Sequence, residues 1–378
     1  MTVFLGCGFA AKYARGGGNF SVPLQWMLGL KRLGVDAVWV EVLQSTGDPL
    51  KDERLRRLFL ARMRALDLKT ALFTMEQAEY QERAEASLDG MSTQDFRDRL
   101  AGPHVLLNLS YSIRAPFLFE FSERWFCDLD PGEIGYWMTQ MEMGQTQHQR
   151  FFTIGLNIHA ENCKTPRNGL NWETFAPLAD TEWYRPSPRP ALDRFTTIGQ
   201  WYWDGCIEVD GEYPYLSKGV AFEKFLPISE LLPEVHFELA VNLGEANEEA
   251  DRLRGLGWEL VDPHRVAANP GVYRRYLANA TGEFTSIKGV DCLWQTGWVS
   301  DRTAAFLASG RPVLTEDTGA GAYLSERSGC LWVHDSESAK AAVEEVLGNW
   351  ERYSAEARAC AVEIFDAAHV LRTRFGLG

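Results

Sequence analysis

Short apolar segments alternate with amphipathic ones along this chain, and the alternation starts twice. Residues 3–5 form a strand candidate, and a glycine-rich loop, an amphipathic helix over 21–34 and a buried strand over 35–43 follow. Because this order places helices over the faces of a parallel sheet, it predicts a Rossmann-like α/β domain. The alternation restarts after residues 185–193, a proline-rich and charged stretch that we interpret as a linker.

The other segments extend the same pattern. Residues 50–100 are charged and amphipathic, so we predict that this stretch is mostly helical. Further strands are predicted at 104–110, 124–130, 194–201, 236–243, 258–263, 290–295 and 311–316. A helical pair with a break near Gly348 follows them. Because 378 residues are too many for one ordinary core, we predict two α/β domains with parallel sheets and a cleft between them.

The acidic composition argues against one class of partner. The chain carries a formal net charge of -14, whereas binding to a nucleic-acid backbone requires clustered Lys and Arg. A local basic pocket for a small phosphorylated ligand remains compatible with this charge. We find no apolar run of the roughly 18 residues that span a bilayer, and no signal-peptide pattern. We therefore expect a cytoplasmic protein without membrane insertion, and the sequence does not indicate its oligomeric state.

The cysteines are odd in number and scattered along the chain. No two of them have the CxxC spacing of a zinc or redox site, so we expect reduced thiols and no metal site. They are Cys7, Cys127, Cys163, Cys206, Cys292, Cys330 and Cys360.

The stretch 297–319, GWVSDRTAAFLASGRPVLTEDTG, joins two apolar segments through a short helix. Ser300 is a good N-cap residue, and the carboxylate of Asp301 suits the positive end of the helix dipole. Gly297 allows close approach of the backbone, and Arg302 adds a positive charge. A helix start at the carboxyl edge of a parallel sheet is a ready site for phosphate groups. The alternative, that Ser300 and Asp301 only cap a helix, stays open.

This stretch resembles the nucleotide-sugar site of glycosyltransferases with the GT-B fold. It contains the G-W-x-S start of one branch of those enzymes and the A-x-G-x-P-V continuation of another. In those families an acidic residue binds the ribose, but its position falls here at Thr303 or Ala305, so Asp301 is the substitute candidate. The resemblance implies that Gly297, Trp298 and Ser300 lie beside the donor pyrophosphate, and that Thr318 and Gly319 lie beside the transferred sugar.

A second match precedes the first in the chain. Residues 195–228 resemble the first strand and helix of the GT-B donor domain, where an arginine and a Lys-Gly pair bind the pyrophosphate. Lys218 and Gly219 match the Lys-Gly pair. Gln200 stands in place of the arginine, and Arg302 is the candidate that compensates for it. The alternative is that Lys218 is an ordinary solvated lysine.

The resemblance implies a GT-B fold, in which two Rossmann-like domains with parallel sheets face a central cleft. Residues 1–184 would bind the acceptor and residues 185–361 the donor, and a helix over about 362–378 would pack back onto the first domain. The glycine-rich loop at 15–20 supplies candidates for close approach to the sugar or phosphate, namely Gly17, Gly18 and Asn19. A merely flexible loop is the alternative.

Sugar transfer often needs a base on the acceptor, and the first domain offers two carboxylates for this role. Asp128 and Asp130 follow a predicted strand and are our candidates for the base or for acceptor binding; turn and cap chemistry is the alternative. His148 and His159 lie nearby, but such residues are more often surface or core histidines. The sequence has no GHxxP-type histidine after the first strand, which favours retention over inversion.

A dinucleotide-binding fingerprint is a rival interpretation of the first residues. Gly6, Gly8 and Ala11 match G-x-G-x-x-A, and Glu41 ends the next predicted strand. The fingerprint requires a helix that opens at the glycines and an acid about 20 residues later. Glu41 comes 33 residues after Gly8, and a run of three consecutive glycines at 16–18 interrupts the interval, so this interpretation is disfavoured.

We therefore expect a metal-independent glycosyltransferase that moves a hexosyl or pentosyl group from a nucleoside-diphosphate sugar to a small-molecule acceptor. No cofactor is expected, and UDP is the first choice for the nucleotide. Nucleic acid is not expected as a partner. Two alternatives share the fold: a sugar-nucleotide epimerase, which would isomerise a UDP-sugar alone, and a catalytically silent nucleotide-sugar binding protein. The missing ribose carboxylate keeps the second alternative open.

Overall fold

The computed structural model describes residues 1–13, 17–77, 80–203, 205, 207–208, 211 and 213–378, and within them the strands form two sheets. The strands of the first sheet are β1 (Thr2–Cys7), β2 (Asp36–Gln44), β3 (Thr70–Met75), β4 (Ser87–Asp89), β5 (His104–Leu109), β6 (Arg124–Asp128), β7 (Arg150–Thr153) and β8 (Trp172–Thr174). They lie in the order β4-β3-β2-β1-β5-β6-β7-β8, and the β3–β4 pair is antiparallel whereas the others are parallel. We call this sheet and its helices the first lobe.

The second sheet has six parallel strands among the described residues. They are β9 (Arg194–Gln200), β10 (His236–Asn242), β11 (Glu259–Leu260), β12 (Gly282–Thr285), β13 (Val313–Thr315) and β14 (Cys330–Trp332). Their order is β11-β10-β9-β12-β13-β14. We call this sheet and its helices the second lobe. The prediction of two α/β units with mostly parallel sheets is confirmed.

Helices cover the sheets on both sides, as parallel sheets require. Those of the first lobe are α1 (Gly17–Arg32), α2 (Pro49–Ala65), α3 (Thr93–Ala101) and α4 (Pro131–Gln140). Those that follow are α5 (Lys218–Phe222), α6 (Ile228–Leu231), α7 (Asn247–Gly255), α8 (Pro263–Val266), α9 (Pro270–Ala278), α10 (Gly289–Trp294), α11 (Asp301–Ala308), α12 (Ser336–Gly348), α13 (Trp350–Cys360) and α14 (Ala367–Phe375). Among the described residues we find no helix with the length and apolar character of a membrane span.

The strand orders place one crevice in each lobe. In an open parallel sheet, a crevice for ligands lies outside the carboxyl ends of the strands at the point where the order reverses. That point lies between β1 and β5 in the first sheet and between β9 and β12 in the second. The segments that leave these four strands are therefore the places to look for a site.

The structure differs from the predicted local structure in two stretches, and one of its strands was not predicted. Residues 290–295 form α10 instead of a strand, because Val290 and Trp294 are one helical turn apart and pack into the same small apolar cluster. The strand in this region is β12, whose sequence GEFT contains a single large apolar residue and therefore lacks the apolar run that is typical of a buried strand. The stretch 50–100 contains β3 and β4 besides its helices.

The predicted glycine loop is also shorter than expected. Helix α1 begins at Gly17, four residues earlier than predicted, while Arg15 and Gly16 lie outside the described residues. A Cβ atom on Gly17 would lie 2.4 Å from the Cβ of Ala267, which connects α8 and α9 of the second lobe. A Cβ on Gly18 would meet nothing within 4 Å. Gly17 thus allows the two lobes to touch at the start of α1.

This difference predicts unequal effects of alanine at the two neighbouring glycines. We expect Gly17→Ala to lower the free energy of unfolding by about 1–3 kcal/mol, because an extra methyl group in a filled contact forces a shift of the neighbouring atoms. Gly18→Ala is the matched control and should be neutral or stabilising by up to about 1 kcal/mol, since alanine favours a helix. Urea unfolding measures both. Equal stabilities of the two variants would contradict the described contact.

Helix α14 packs against the first lobe. The ring of Phe375 stacks on that of Phe152 with 4.3 Å between centroids, and a Cβ on Gly29 of α1 would lie 2.9 Å from the Cβ of Ala367. The guanidinium of Arg32 in α1 also donates a hydrogen bond to the carboxylate of Asp366 at 2.8 Å. The predicted domain limits, 1–184, 185–361 and a returning helix over 362–378, remain predictions.

Candidate functional site

Lys218 lies between β9 and β12, where the strand order of the second sheet reverses. It is the first residue of α5, which follows β9, and its Nζ donates hydrogen bonds to Thr285 Oγ1 at 2.8 Å and to the Ser286 carbonyl at 2.9 Å. Thr285 ends β12, the neighbour of β9. Gly199 leaves room for the lysine stem, because a Cβ there would lie 3.2 Å from Lys218 Cε. The predicted residue therefore lies where a parallel sheet binds ligands.

The guanidinium of Arg302 lies beside Lys218 and is held by the sheet. It forms an ion pair with Glu283 of β12 and donates to the Ile198 carbonyl at 2.8 Å and to Thr285 Oγ1 at 2.9 Å. Burial lowers the pKa of Lys218 well below its usual value, and the positive charge of Arg302 lowers it further. A bound dianion would reverse this effect, because a nearby negative charge stabilises the charged ammonium.

Ser300 caps α11 as predicted. Its Oγ accepts a hydrogen bond from the Thr303 amide at 2.9 Å and donates one to Thr303 Oγ1 at 2.8 Å. Thr303 Oγ1 in turn donates to Glu283 Oε2 at 2.8 Å. A carboxylate is therefore present next to Thr303, but it comes from β12 instead of from α11. The sequence did not indicate Glu283, because β12 itself was missed.

Asp301 is the first residue of α11, and charges of both lobes act on its carboxyl. Burial raises the pKa of its carboxyl to about 7, and the negative charge of Asp130 contributes in the same direction. Asp301 likewise contributes to the raised pKa of the buried Tyr184, after the larger effect of burial. The structure thus brings two predicted site residues from different lobes, Asp130 and Asp301, close enough to interact electrostatically.

The predicted glycines of the second lobe lie against the first lobe. Gly297 donates its amide hydrogen to the Thr318 carbonyl at 2.8 Å, and both Gly297 and Gly319 have positive φ angles, 73° and 88°. A Cβ on Gly297 would lie 2.6 Å from the backbone nitrogen of Asn157, and one on Gly319 would lie 2.2 Å from Asn157 Nδ2. Thr318 Oγ1 donates to the Trp298 carbonyl at 2.7 Å. The predicted residues at 297–298 and 318–319 therefore contact one another. The residue that comes close to the two glycines in this structure is Asn157.

The two candidate carboxylates of the first lobe have different environments. Asp128 is buried and accepts hydrogen bonds from Thr153 Oγ1 at 2.7 Å and from the Asp130 amide at 2.8 Å, and burial raises its pKa to about 7. Asp130 precedes α4 and is partly exposed, and its Oδ2 pairs with Lys288 Nζ at 2.7 Å. Asp130 therefore faces the second lobe, whereas the carboxyl of Asp128 is turned inward onto β7.

The nearby histidines are structural. Burial lowers the pKa of His148 to about 4, so its ring is neutral at pH 7. Its Nδ1 lies 2.8 Å from the Gly144 carbonyl and its Nε2 lies 3.0 Å from Asn108 Nδ2, so the first donates and the second accepts. His159 Nε2 bonds the Trp172 carbonyl at 2.9 Å. Both rings therefore have hydrogen-bond partners within the first lobe.

The dinucleotide interpretation is excluded by the first lobe. Gly6 lies inside β1, and α1 begins nine residues after Gly8 instead of at it. Glu41 has no exposed surface, and its carboxylate accepts hydrogen bonds from the Ala11 amide at 2.7 Å and from Trp39 Nε1 at 2.8 Å. It holds the β1–α1 loop and is not available to a ribose.

The sequence interpretation missed several polar residues around this crevice. Lys288, the N-cap residue of α10, contacts the first-lobe carboxylates Asp130 and Glu133. Lys288 lies three residues after the end of β12, and Asp130 lies two residues after the end of β6. A prediction of β12 would therefore have indicated Lys288 as a site residue. Five buried polar atoms in this part of the described structure have no hydrogen-bond partner: Asp130 Oδ1, Ser286 Oγ, Asp291 Oδ2, Trp298 Nε1 and Thr315 Oγ1. Unpaired buried polar groups are costly, so their concentration here indicates a site.

Solved structures with the same architecture are distant in sequence. Anabaena Alr3699/HepE in complex with UDP and glucose has a TM-score of 0.56 and 10% identity, and the match covers 98% of this chain and 96% of that chain. An E. coli trehalose-6-phosphate structure bound with UDP-2-fluoro glucose has a TM-score of 0.54 and 11% identity over 99% and 98%. A putative UDP-N-acetylglucosamine 2-epimerase from Listeria monocytogenes has a TM-score of 0.50 and 11% identity over 99% and 96%.

No family model matches the sequence, and no curated protein matches it. The likeness to the solved structures therefore concerns the fold. It extends over nearly the whole length of the chain and includes both sheets. The chain has the two-lobed α/β fold of the GT-B glycosyltransferases.

Proposed function

We propose that the protein is a glycosyltransferase that uses a nucleoside-diphosphate sugar as donor. The observation that carries the proposal is the position of Lys218, which joins β9 to β12 at the reversal point of the second sheet beside the start of α11. Asp130 lies across from it on the first lobe and pairs there with Lys288. A cation and a helix start on one lobe and a partly exposed carboxylate on the other suit a leaving diphosphate and an acceptor.

The reaction breaks the bond between the anomeric carbon of the sugar and the diphosphate oxygen. Lys218 and the start of α11 stabilise the negative charge that develops on the departing oxygen, and Arg302 adds a fixed positive charge behind them. The new bond joins the anomeric carbon to an acceptor oxygen, and Asp130 accepts the proton of that hydroxyl group. These groups require no cofactor, and we expect transfer to persist in EDTA.

The remaining predicted residues keep their proposed places. Gly297, Trp298 and Ser300 lie beside the diphosphate, Thr318 and Gly319 beside the sugar, and Gly17, Gly18 and Asn19 at the cleft side of the first lobe. UDP is the first choice of nucleotide, because two proteins of similar fold were solved with UDP or a UDP-sugar derivative. The acceptor is proposed to be a small molecule that binds the first lobe.

The proposal is tested with a panel of UDP-, dTDP-, GDP- and ADP-sugars. We expect at least one to raise the thermal unfolding temperature and to be converted to the free nucleoside diphosphate when acceptors are added. Mass spectrometry identifies the glycosylated product. An isomerised UDP-sugar in the absence of any acceptor would favour the epimerase, whose fold is similar. Absence of binding by every member of the panel would overturn the proposal.

Removing the charge of Lys218 should weaken nucleotide binding strongly. We expect Lys218→Met to lower the affinity for UDP by about 10- to 100-fold, because charge-assisted hydrogen bonds are worth about 1.5–3 kcal/mol. Isothermal titration calorimetry measures the dissociation constant. Lys69→Met is the matched control, since Lys69 pairs with Asp36 at the opposite edge of the first sheet, where β2 begins. Unchanged UDP affinity in Lys218→Met would contradict the assigned role.

A further inference from the structure

Lys288 is a cation of the second lobe that forms ion pairs with the first lobe. It follows β12 by three residues and caps α10 of the second lobe, yet its Nζ bonds Asp130 Oδ2 at 2.7 Å and also pairs with Glu133, both on the first lobe. About 25% of its side chain remains exposed. A Cβ on Gly132 of α4 would lie 2.9 Å from Asp291 Oδ1 of α10, so the two helices are in close contact around this ion pair.

Lys288 also lies beside the proposed diphosphate position. Lys218 Nζ donates to the Ser286 carbonyl, two residues before Lys288, at 2.9 Å. The pKa of Lys218 is lowered mainly by burial and by Arg302, and the positive charge of Lys288 contributes as well. The guanidinium of Arg302 is held in place by an ion pair with Glu283, a residue of its own lobe. Lys288, by contrast, pairs with carboxylates of the opposite lobe and is partly exposed, so an anion from solution can reach it by exchange.

Lys288 is a single cation surrounded by three acidic residues. Asp130, Glu133 and Asp291 all act on its ammonium group, and together they raise its pKa although burial alone would lower it. Burial and the charge of Asp130 raise the pKa of Asp291 to about 8. Asp130 Oδ1 and Asp291 Oδ2 are buried and have no hydrogen-bond partner. The acidic side chains compete for ion pairs with one ammonium group. A dianion that binds here would compete with them for the same ammonium group.

We propose that Lys288 is a ligand of the donor diphosphate that exchanges Asp130 and Glu133 for the phosphate oxygens, so that donor binding frees the Asp130 carboxylate for the acceptor hydroxyl. The inference rests on the proposed function. A lysine suits such an exchange, because its ammonium is a point charge on a flexible four-carbon stem. The effect is reciprocal because the two interactions are thermodynamically linked. The ion pairs of Lys288 with Asp130 and Glu133 lower the affinity for the diphosphate by the same free energy by which bound diphosphate weakens these ion pairs.

The test measures UDP and UMP affinities by calorimetry for four proteins: wild type, Lys288→Met, the double variant D130N/E133Q, and the triple variant that combines them. We expect Lys288→Met to weaken UDP binding about tenfold and UMP binding much less, since UMP lacks the second phosphate. D130N/E133Q should strengthen UDP binding about threefold or more, because the competing carboxylates are gone. In the Lys288→Met background, the same two substitutions should leave UDP affinity within about twofold.

The triple variant separates exchange from a general field effect. Removal of two negative charges would strengthen anion binding with or without Lys288 if only the field mattered, and equal gains in both backgrounds would therefore overturn the inference. A Lys288→Met variant that binds UDP as tightly as wild type would also overturn the inference. The same holds if the triple variant binds UDP as tightly as D130N/E133Q, a comparison in which loss of the lysine leaves no charged partner behind. Lys288→Arg, which keeps the charge, should retain most of the UDP affinity.

Failure of the proposed function gives a different result. A wild-type protein that binds no nucleoside diphosphate among UDP, dTDP, GDP and ADP overturns the function and the inference together. A wild-type protein that binds one of them, with the same affinity in every Lys288 variant, overturns the inference alone. Thermal unfolding of each variant without nucleotide shows that the compared proteins are folded.

Discussion

Replacing Gly297 by alanine is expected to lower the free energy of unfolding by about 3 kcal/mol. Two costs add up at this position. Its φ angle of 73° lies in the left-handed region, where an L-residue with a side chain loses about 1–2 kcal/mol. The new Cβ would also lie 2.6 Å from the backbone nitrogen of Asn157, and a backbone atom moves only if its whole segment moves. Urea unfolding measures the loss.

Gly169→Ala is the matched control for the first of these costs. Gly169 has a φ angle of 70°, and a Cβ there would meet nothing within 4 Å. We expect this variant to lose only about 1–2 kcal/mol. The difference between the two variants measures the contact between the Gly297 loop and the first lobe. Equal losses would show that the lobes do not meet at Asn157 in solution.

The stability of the protein is expected to fall between pH 4 and pH 7 because of Asp128. Burial raises the pKa of this carboxyl to about 7, whereas an unfolded aspartate titrates near pH 4. Between these values the folded state binds more protons than the unfolded state, so the free energy of unfolding decreases as pH rises. The slope from this one group is about 1.4 kcal/mol per pH unit, or about 4 kcal/mol over the window.

Asp128→Asn removes this slope and isolates it from other titrating groups. Glu41, whose pKa burial also raises to about 7, and His148, whose lowered pKa acts in the opposite direction, remain in both proteins. We expect the stability of the variant relative to wild type, from urea unfolding at pH 5, 6, 7 and 8, to increase up to pH 7 and then level off.

Asp52→Asn serves as the control for this pH series. Burial would raise the pKa of Asp52, but hydrogen bonds from Thr46 and Ser45 hold it below its usual value. The stabilisation by Asp52 is therefore complete above pH 4, and its removal should cost the same at every pH from 5 to 8. A parallel response of the Asp128 and Asp52 variants would mean that Asp128 is ionised in the folded protein throughout the series.

The sequence predicted the parts of the site that depend on neighbours in the chain. Ser300 caps α11 and Lys218 begins α5 next to β9, because caps, glycine stops and strand ends are local signals. It did not predict Lys288 or Glu283. Both depend on β12, whose buried Thr and Glu side chains are paired through hydrogen bonds that only the assembled sheet provides.

Close approaches were predicted at Gly17, Gly297 and Gly319, and at each of these glycines the structure shows a neighbouring residue of the opposite lobe. Gly17 was expected to admit a ligand, and in this structure it admits Ala267 of the opposite lobe. A glycine indicates that another group approaches the backbone closely, but it does not identify that group as a ligand or as another part of the protein. Asn157, which approaches Gly297 and Gly319, lies 140 residues before the first of them and 162 before the second, and no local pattern connects them.

The docking of α14 has a consequence for biosynthesis. Phe375 contributes to an aromatic wall with Trp26, Phe152 and Phe175 of the first lobe. A nascent chain that ends after β8 already has the eight described strands of the first sheet but lacks this ring. The amino-terminal half therefore leaves the ribosome with an open apolar face, and it closes only after the entire second half has been translated. Chaperones that bind exposed aromatic surface would meet the nascent protein throughout that interval.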